Sequence, residues 1–369
     1  MKICFLVNQL SSRDGWGSYA VNLIEHLSKQ GVNCLVLSSV RSQQNDLSLI
    51  KDYKILPPLF VSRWIKIYFL IKNFFQIRKF IKESDQVHVL AEPYSLIAYW
   101  AYKKRPMFIT FHGTYAVDAL NKWYLKALYE RVYKNVKKII CVSRFTQQIF
   151  LKRIQTNNTV VINNGINYEK FRTYQVDKKI KQNSKKIISV GALVFRKGYH
   201  ISIPAVGMVI KKYQNLKYYI IGNQNNKKYF FQLKDLIKKY NLEDNVVFLQ
   251  NISEQELLNL YYQANLFLLT SVNIYDNFEG FGLVYLEANA CGKPVIGTYG
   301  CGAEDAIKDG FNGLLVSQNH IKETSQAILS VLDNPALAEK LSQNGLKYAK
   351  KMDWSNVVKK YIQIYDFKI

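Results

Sequence analysis

Ser189-Val190-Gly191-Ala192-Leu193-Val194-Phe195-Arg196-Lys197-Gly198 sets the architecture of this chain. The apolar run Lys186–Val190 has the length and composition of a buried strand, and it leads straight into a loop with two adjacent cations and a closing glycine. Arg196 offers a planar fork and Lys197 a point charge, and both suit phosphate oxygens. In a lysine-rich chain such a pair is ordinarily solvated surface. Its meaning depends on what lies around it.

The same strand-then-loop unit recurs from end to end. Candidate strands are Lys2–Asn8, Asn33–Ser38, Gln86–Ala91, Met107–Phe111, Lys138–Val142 and Thr159–Asn163, with helical patterns such as Tyr19–Lys29 and Val117–Lys137 between them. A polar, basic stretch breaks the rhythm, which then restarts with Lys186–Val190, Leu216–Ile221, Asn245–Leu249, Leu266–Leu269 and Pro294–Gly297. Alternation of this kind predicts parallel sheets covered on both faces. The expected architecture is α/β, with two Rossmann-like doubly wound domains whose strand C-termini face a central cleft. The expected boundaries are 1–167 for the first Rossmann-like domain, 168–186 for a linker and 187–350 for the second. A terminal helix, 351–369, with aromatics and lysines alternating from Trp354 to Phe367, packs along one face.

At 369 residues the chain suits two cores, and no apolar run is long and uncharged enough to span a bilayer. The opening Met1-Lys2-Ile3-Cys4-Phe5-Leu6-Val7-Asn8 reads as a strand and not as a secretory signal. Five cysteines without CxxC spacing predict free thiols, neither disulfides nor structural zinc, and a cytoplasmic protein. The net charge is +24, and the first 167 residues hold 24 of the 51 cations but 9 of the 27 acids. Such an excess favours an anionic lipid surface or acceptor. A general preference for lysine in a chain also rich in Asn, Ile and Tyr contributes to it. No zinc finger, RNA-recognition signature or DNA-reading helix accompanies the charge, so nucleic acid is not an expected partner.

Glu279-Gly280-Phe281-Gly282-Leu283-Val284-Tyr285-Leu286-Glu287 is a glycine-aromatic-glycine turn running into a helical pattern that stops near Gly292. A helix opening at Phe281 or Gly282 presents free amides and the positive end of its dipole, an anion site. Glu279 stands at its mouth, and Glu287 lies roughly 7–9 Å along the axis. Carboxylates on either side of a phosphate site suit a ligand with a diphosphate between polyhydroxyl groups, such as a nucleotide sugar. A capped amphipathic helix with exposed glutamates is the ordinary alternative.

After the first strand, Gly15, Gly17 and Ala20 match a G-x-G-x-x-A dinucleotide fingerprint. Six residues separate Asn8 from Gly15, however, and Val36-Leu37-Ser38-Ser39-Val40-Arg41 supplies no acid for a ribose. A nicotinamide enzyme stays open because Arg41 suits a 2′-phosphate. His112-Gly113 ends the strand Met107–Phe111 and points at the ligand edge of a doubly wound sheet; a lone histidine there is more often structural. Residues 61–82 intersperse Arg63, Lys66, Lys72, Arg78, Lys79 and Lys82 among aromatics and isoleucines, the pattern of an amphipathic helix resting on a membrane surface or of a core helix with solvated lysines. No Asp-x-Asp pair or His/Asp cluster has metal-ligand spacing, so no metal is expected and the cations must supply any electrostatic stabilisation.

Together these pieces resemble family 4 of the retaining glycosyltransferases, which have the GT-B fold. The resemblance spans nearly the whole chain. Its carriers are Gly15-Trp16-Gly17, His112-Gly113, Val142-Ser143-Arg144-Phe145, Val161-Ile162-Asn163-Asn164-Gly165-Ile166-Asn167, Val190-Gly191 through Arg196-Lys197-Gly198, Glu279-x7-Glu287, Asp309-Gly310-Phe311-Asn312-Gly313-Leu314-Leu315-Val316 and the Trp354 helix. It implies transfer of a sugar from a nucleotide-sugar donor, UDP favoured over GDP, to a glycan or lipid-linked acceptor with the anomeric configuration kept. The second domain would bind the donor. In that implied site Glu287 holds ribose hydroxyls, Glu279 contacts the donor sugar, and Arg196 and Lys197 neutralise the diphosphate. Amides near Gly17, Gly282, Leu283 and Val284, with Gly15, assist them, and His112 reaches the sugar. No enzyme carboxylate need form a stable covalent intermediate, and the leaving phosphate would accept the acceptor's proton, unlike in retaining glycosidases, where paired carboxylates do the work. Two departures stand out. Many family members carry Arg where this chain has Ala192, leaving Arg196 to replace it. The Asn-Gly-Ile-Asp pattern ends here in Asn167, a structural change.

Overall fold

The structure is a computed structural model that describes residues 1–11, 15–42, 47, 50–59, 61–173 and 184–366. The chain divides into two compact units, Met1–Gly165 with Trp354–Ile369, and Ile166–Asp353. Of the stretch read as a linker, Tyr168–Arg172 is a short helix in the second unit and 174–183 lie outside the described residues, as does Phe367 at the chain's end. The Asn167 side chain caps that helix by accepting the Lys170 amide at 3.2 Å, as an aspartate would.

The first unit holds seven parallel strands: β1 (Lys2–Leu6), β2 (Asn33–Ser39), β3 (Lys51–Leu56), β4 (Gln86–Val89), β5 (Met107–Phe111), β6 (Lys138–Cys141) and β7 (Thr159–Val161). They lie in the order β3-β2-β1-β4-β5-β6-β7. The two-residue period of a strand splits β1 between two cores. Cys4 and Leu6 join Val87, Val89, Ile109 and Phe111 on one face; Ile3 and Phe5 join Leu23, Ile24 and Tyr361 on the other. The central strands, buried on both faces, explain the near-continuous apolar runs. The helices Gly15–Lys29 and Trp354–Ile364 cover the second face, so the C-terminal helix returns to the N-terminal unit. Trp354 is buried against Tyr19, and a Cβ on Gly165 would stand 2.5 Å from its ring, which explains the glycine of the Asn-Gly-Ile run.

The second unit holds six strands: β8 (Lys186–Val190), β9 (Lys217–Ile221), β10 (Val246–Leu249), β11 (Leu266–Leu268), β12 (Val295–Thr298) and β13 (Gly313–Val316), in the order β10-β9-β8-β11-β12-β13. All its ladders are parallel. In each sheet the winding reverses once, between β1 and β4 and between β8 and β11. Loops leaving the carboxyl ends of those strand pairs are where doubly wound sheets bind ligands.

Three expectations need correction. The edge strands β3 and β13 were not read as strands at all. The pattern Val117–Lys137 is not one helix: Tyr115–Asp118 and a 3₁₀ turn, Ala119–Asn121, end at Lys122, whose extended backbone separates them from the helix Trp123–Asn135. The helix Arg63–Lys82 is real but does not segregate polar from apolar sides. Asn73, Ile77 and Ile81 are buried on one side, while Trp64, Tyr68, Ile71 and Phe75, spaced as one helical stripe, are exposed on the opposite side. It is apolar on two faces.

Candidate functional site

In the second unit the loop after β8 and the chain after β11 meet at the point where the winding reverses. Gly198, at φ +69°, ends a 3₁₀ turn, Phe195–Lys197, and a Cβ there would stand 1.7 Å from the Thr270 carbonyl oxygen. Only glycine allows that approach. Thr270 fixes it further by donating its hydroxyl to the Gly198 carbonyl at 2.7 Å. The clamp aims the two cations at one carboxylate. Lys197 Nζ lies 2.6 Å from Glu279 Oε2, and Arg196 donates to the same oxygen at 3.0 Å. Ser271, immediately beyond β11, donates its hydroxyl to it at 3.3 Å.

Burial works against a charged Glu279, but attraction from Lys197 and Arg196, with their hydrogen bonds, outweighs it and holds the carboxyl at about 2. It is therefore ionised across the physiological range. Burial also pulls Lys197 below the usual lysine range, partly offset by Glu279. The Lys197 side chain is 10 % exposed and that of Arg196 34 %, so the lysine is committed to the cluster and the arginine still meets solvent.

The helix expected after the Gly-Phe-Gly turn runs Leu283–Ala290, with Gly282 at φ +84° as its cap and Gly292 at φ +69° beyond its end. A Cβ on Gly282 would stand 2.5 Å from the Tyr285 ring and 3.7 Å from Glu279 Cγ, so the Glu279 side chain passes the helix N-terminus. The amides of Leu283 and Val284 are the first in the helix and have no carbonyl one turn back to bond. Glu287, one turn in, is half-buried and accepts the Tyr261 hydroxyl at 2.9 Å. Burial raises its pKa, and the Tyr261 hydrogen bond and the charges of Lys170 and Lys197 pull the other way. Arg196, Lys197, Glu279, Gly282, Leu283 and Val284 thus form one cluster, with Glu287 further along the helix.

The remaining expected residues belong to the first unit. Gly15 opens the helix Gly15–Lys29 with open space where a Cβ would be, and Gly17 is buried within it. His112 follows β5. Its Nε2–H donates to the Leu90 carbonyl at 2.9 Å, and its ring packs edge-on against Tyr19 with centroids 4.6 Å apart. Burial lowers its pKa to about 4, so the imidazole is neutral at physiological pH with Nδ1 as its acceptor.

Sequence reading missed Ser271, Tyr261 and above all Glu92, which follows β4 at the winding reversal. Glu92 Oε1 accepts the His112 amide at 2.6 Å, and Oε2 is buried with no hydrogen-bond partner from another described residue. Burial raises its pKa to about 8, so this carboxyl is protonated at neutral pH. An acid directly after an apolar strand, before Pro93, was the available signal. The Asp309–Val316 run has a structural role: Asp309 accepts the Leu315 amide at 2.8 Å, and Asn312 donates to Asn289 at 2.7 Å and to the Ala306 carbonyl. Among the described residues no group of three or more His, Cys, Asp or Glu side chains is placed to hold a metal ion, and the five cysteines are buried free thiols.

Two nucleotide-fold units with a cation–carboxylate cluster at a sheet reversal define a class that comparison with known proteins identifies. Residues 13–170 match the model of Glycosyltransferase Family 4 and residues 170–348 that of Glycosyl transferases group 1. Between them the two models take in nearly the whole chain, which is a family 4-like glycosyltransferase. An uncharacterized glycosyltransferase of Methanocaldococcus jannaschii is 28% identical over 303 residues, covering 80% of this chain and 79% of that protein. The capsular polysaccharide biosynthesis glycosyltransferase CapM of Staphylococcus aureus is 26% identical over 234 residues, 60% of this chain and 58% of CapM. Among solved structures, Anabaena HepE in complex with UDP and glucose superposes with a TM-score of 0.81 at 20% identity, covering 99% of both chains. A glycosyltransferase from Rickettsia africae gives the same TM-score at 20% identity over 99% of this chain and 97% of its own. The fold class is that of GT-B glycosyltransferases.

Proposed function

We propose that the protein is a retaining glycosyltransferase that moves a sugar from a nucleotide-sugar donor, UDP favoured over GDP, to a glycan or lipid-linked acceptor in cell-surface polysaccharide or glycolipid assembly. The observation that carries this reading is the convergence of Arg196 and Lys197 on Glu279 beside the first amides of the helix Leu283–Ala290. The two cations share one carboxylate, which offsets one of their two charges. A donor diphosphate carries two negative charges on more oxygens, and on binding it replaces Glu279 as their partner. The released carboxylate then serves the donor sugar's hydroxyls, the cations and amides carry the charge that develops on the leaving diphosphate, and no metal is required. Glu287 holds the ribose, His112 contacts the sugar through a neutral ring, and Gly15 and Gly17 keep the first helix open to phosphate.

HepE, solved with UDP and glucose and with UDP-glucose, supports the choice of base. Isothermal titration with UDP, GDP and NADP is the direct test. UDP is expected to bind in the micromolar range and NADP not at all; nicotinamide binding without nucleoside diphosphate affinity would remove the reading.

The exposed stripe of the helix Arg63–Lys82 supports a second element, peripheral attachment to an anionic membrane from the cytoplasmic side. Among the described residues no helix is long and apolar enough to cross a membrane. The stripe carries aromatics outward, and Lys72, Lys79 and Lys82 are exposed around it. Arg78 is less available, because it donates to the Ala101 carbonyl at 2.6 Å. Replacing Lys72, Lys79 and Lys82 by glutamine is expected to weaken partitioning onto phosphatidylserine vesicles on the order of a hundredfold, at about 1 kcal/mol per cation, and salt should do the same. Unchanged sedimentation with the vesicles counts against attachment here.

A further inference from the structure

The first unit contains an apolar cavity of about 410 Å³ that none of the expected site residues lines. Its walls include Pro57, Leu70, Leu96, Ile97, Leu125 and Tyr129, from the helices Arg63–Lys82, Ser95–Ala101 and Trp123–Asn135 and the chain after β3. Three features distinguish it from a packing defect. Lys66 and Lys122 both line it; Lys122 pairs with Asp118 at 2.8 Å, whereas Lys66 has no ion-pair partner among the described residues. The two long helices that wall it also carry outward Trp64, Ile71, Phe75 and Trp123, exposed by 78, 73, 80 and 87%. Exposed aromatics on the outer faces of its walls are a mark of a surface that meets apolar partners. Finally, Glu92 lines the cavity while its Oε1 holds the His112 amide, and Trp16, also in the wall, has its ring centroid 6.4 Å from that of His112.

We propose that this cavity receives the hydrocarbon chain of an anionic lipid acceptor, whose head meets Lys66 and Lys122. The inference rests on the transferase reading and narrows its acceptor from glycan or lipid to lipid. A hydrocarbon chain fits the lining, because each methylene moved from water into it is stabilising and needs no hydrogen bond. A glycan does not fit, because its hydroxyls would find few partners there and each one left unpaired is penalised. Glu92 is compatible with this occupant, since its carboxyl is uncharged at neutral pH. Its link to the His112 amide places the chain's recess next to the residue expected to contact the sugar.

The test uses the full chain and farnesyl monophosphate as probe, titrated by calorimetry without donor. Saturable binding is expected, with farnesol several-fold weaker and inorganic phosphate undetectable. Leu125→Trp, a half-buried wall residue, is expected to fill the recess and weaken the probe by about tenfold or more, and Leu70→Trp does the same from the opposite wall. UDP binding and the melting temperature of each variant report whether the fold survives, and UDP affinity should not change. If both filled variants keep their fold and bind farnesyl phosphate within twofold of the parent, or if inorganic phosphate binds as well as the prenyl ester, the proposal falls. If instead the parent binds the prenyl phosphate but not UDP, the cavity assignment stands and the transferase reading fails.

Discussion

Lys197→Ala is expected to lose transferase activity by about a hundred- to a thousandfold, the range found when one preorganised charge-stabilising donor is removed. The reasoning starts from burial. Lys197 lies in the cluster at 10 % side-chain exposure, 2.6 Å from Glu279 Oε2. The Glu279 carboxyl is itself 7% exposed. Removing the ammonium leaves a buried carboxylate with Arg196 and Ser271 as partners, and breaking a buried pair from one side costs about 3–5 kcal/mol. Stability and chemistry should therefore fall together, and the two need separate readings. The melting temperature reports the first. For the second, kcat should drop and UDP affinity should also weaken, because in the proposed mechanism the ammonium would face the diphosphate in both the bound and the departing state. Lys197→Arg keeps the charge but not the compact fit beneath Gly191, whose missing Cβ would lie 3.2 Å from Lys197 Cε, so it is expected to rescue stability only in part. Full activity in a folded Lys197→Ala protein would remove the cation clamp from the mechanism.

Most of the fold could be read from the chain because parallel strands buried on both faces must be apolar throughout. Met107–Phe111 and Lys186–Val190 match to the residue, and the other expected strands differ by one or two residues at their ends. Two of the four edge strands, β3 and β13, escaped for the opposite reason. Lys51-Asp52-Tyr53-Lys54-Ile55-Leu56 has a neighbour on one side and solvent on the other, so its pattern is half polar, and the four residues of Gly313–Val316 are too few to show a period. The break at Lys122 left no mark because neither glycine nor proline makes it. In the site, the adjacency of Arg196 and Lys197 was visible, but their common partner, 82 and 83 positions away, was not, because pairing across β8 and β11 is set by the sheet order. Glu92 was overlooked because an acid after a strand is common at exposed loops; its burial, at 1% exposure, is a tertiary fact.

Glu279→Gln is expected to separate donor binding from transfer. Glu279 Oε2 occupies both cations, at 2.6 and 3.0 Å, so a diphosphate must displace it. Glutamine keeps the shape and loses the charge. Two neighbouring cations, one of them buried, are then left without a counter-ion, and Lys197, already below the usual lysine range through burial, moves further in that direction. The unliganded variant should melt at a lower temperature than the parent. The parent carboxyl, held at about 2 against an ordinary 4.5, contributes stability that is complete above pH 4.5 and lost as the pH falls through about 2. The variant lacks that contribution, so its melting temperature should depend less on pH across that acid window. UDP supplies the missing negative charge and no longer competes with a carboxylate. Its affinity is expected to rise by roughly three- to tenfold, equivalent to about 1 kcal/mol, and to take up a proton at alkaline pH, where part of the Lys197 population is neutral. Calorimetry in buffers of different ionisation enthalpy measures that proton directly. Transfer should nonetheless fall by about a hundredfold or more, because the displaced carboxylate serves the sugar in the transition state and an amide cannot replace its charge. A folded Glu279→Gln protein that loses both UDP and activity would instead make Glu279 a structural anchor of the loop, with the sugar held by other groups.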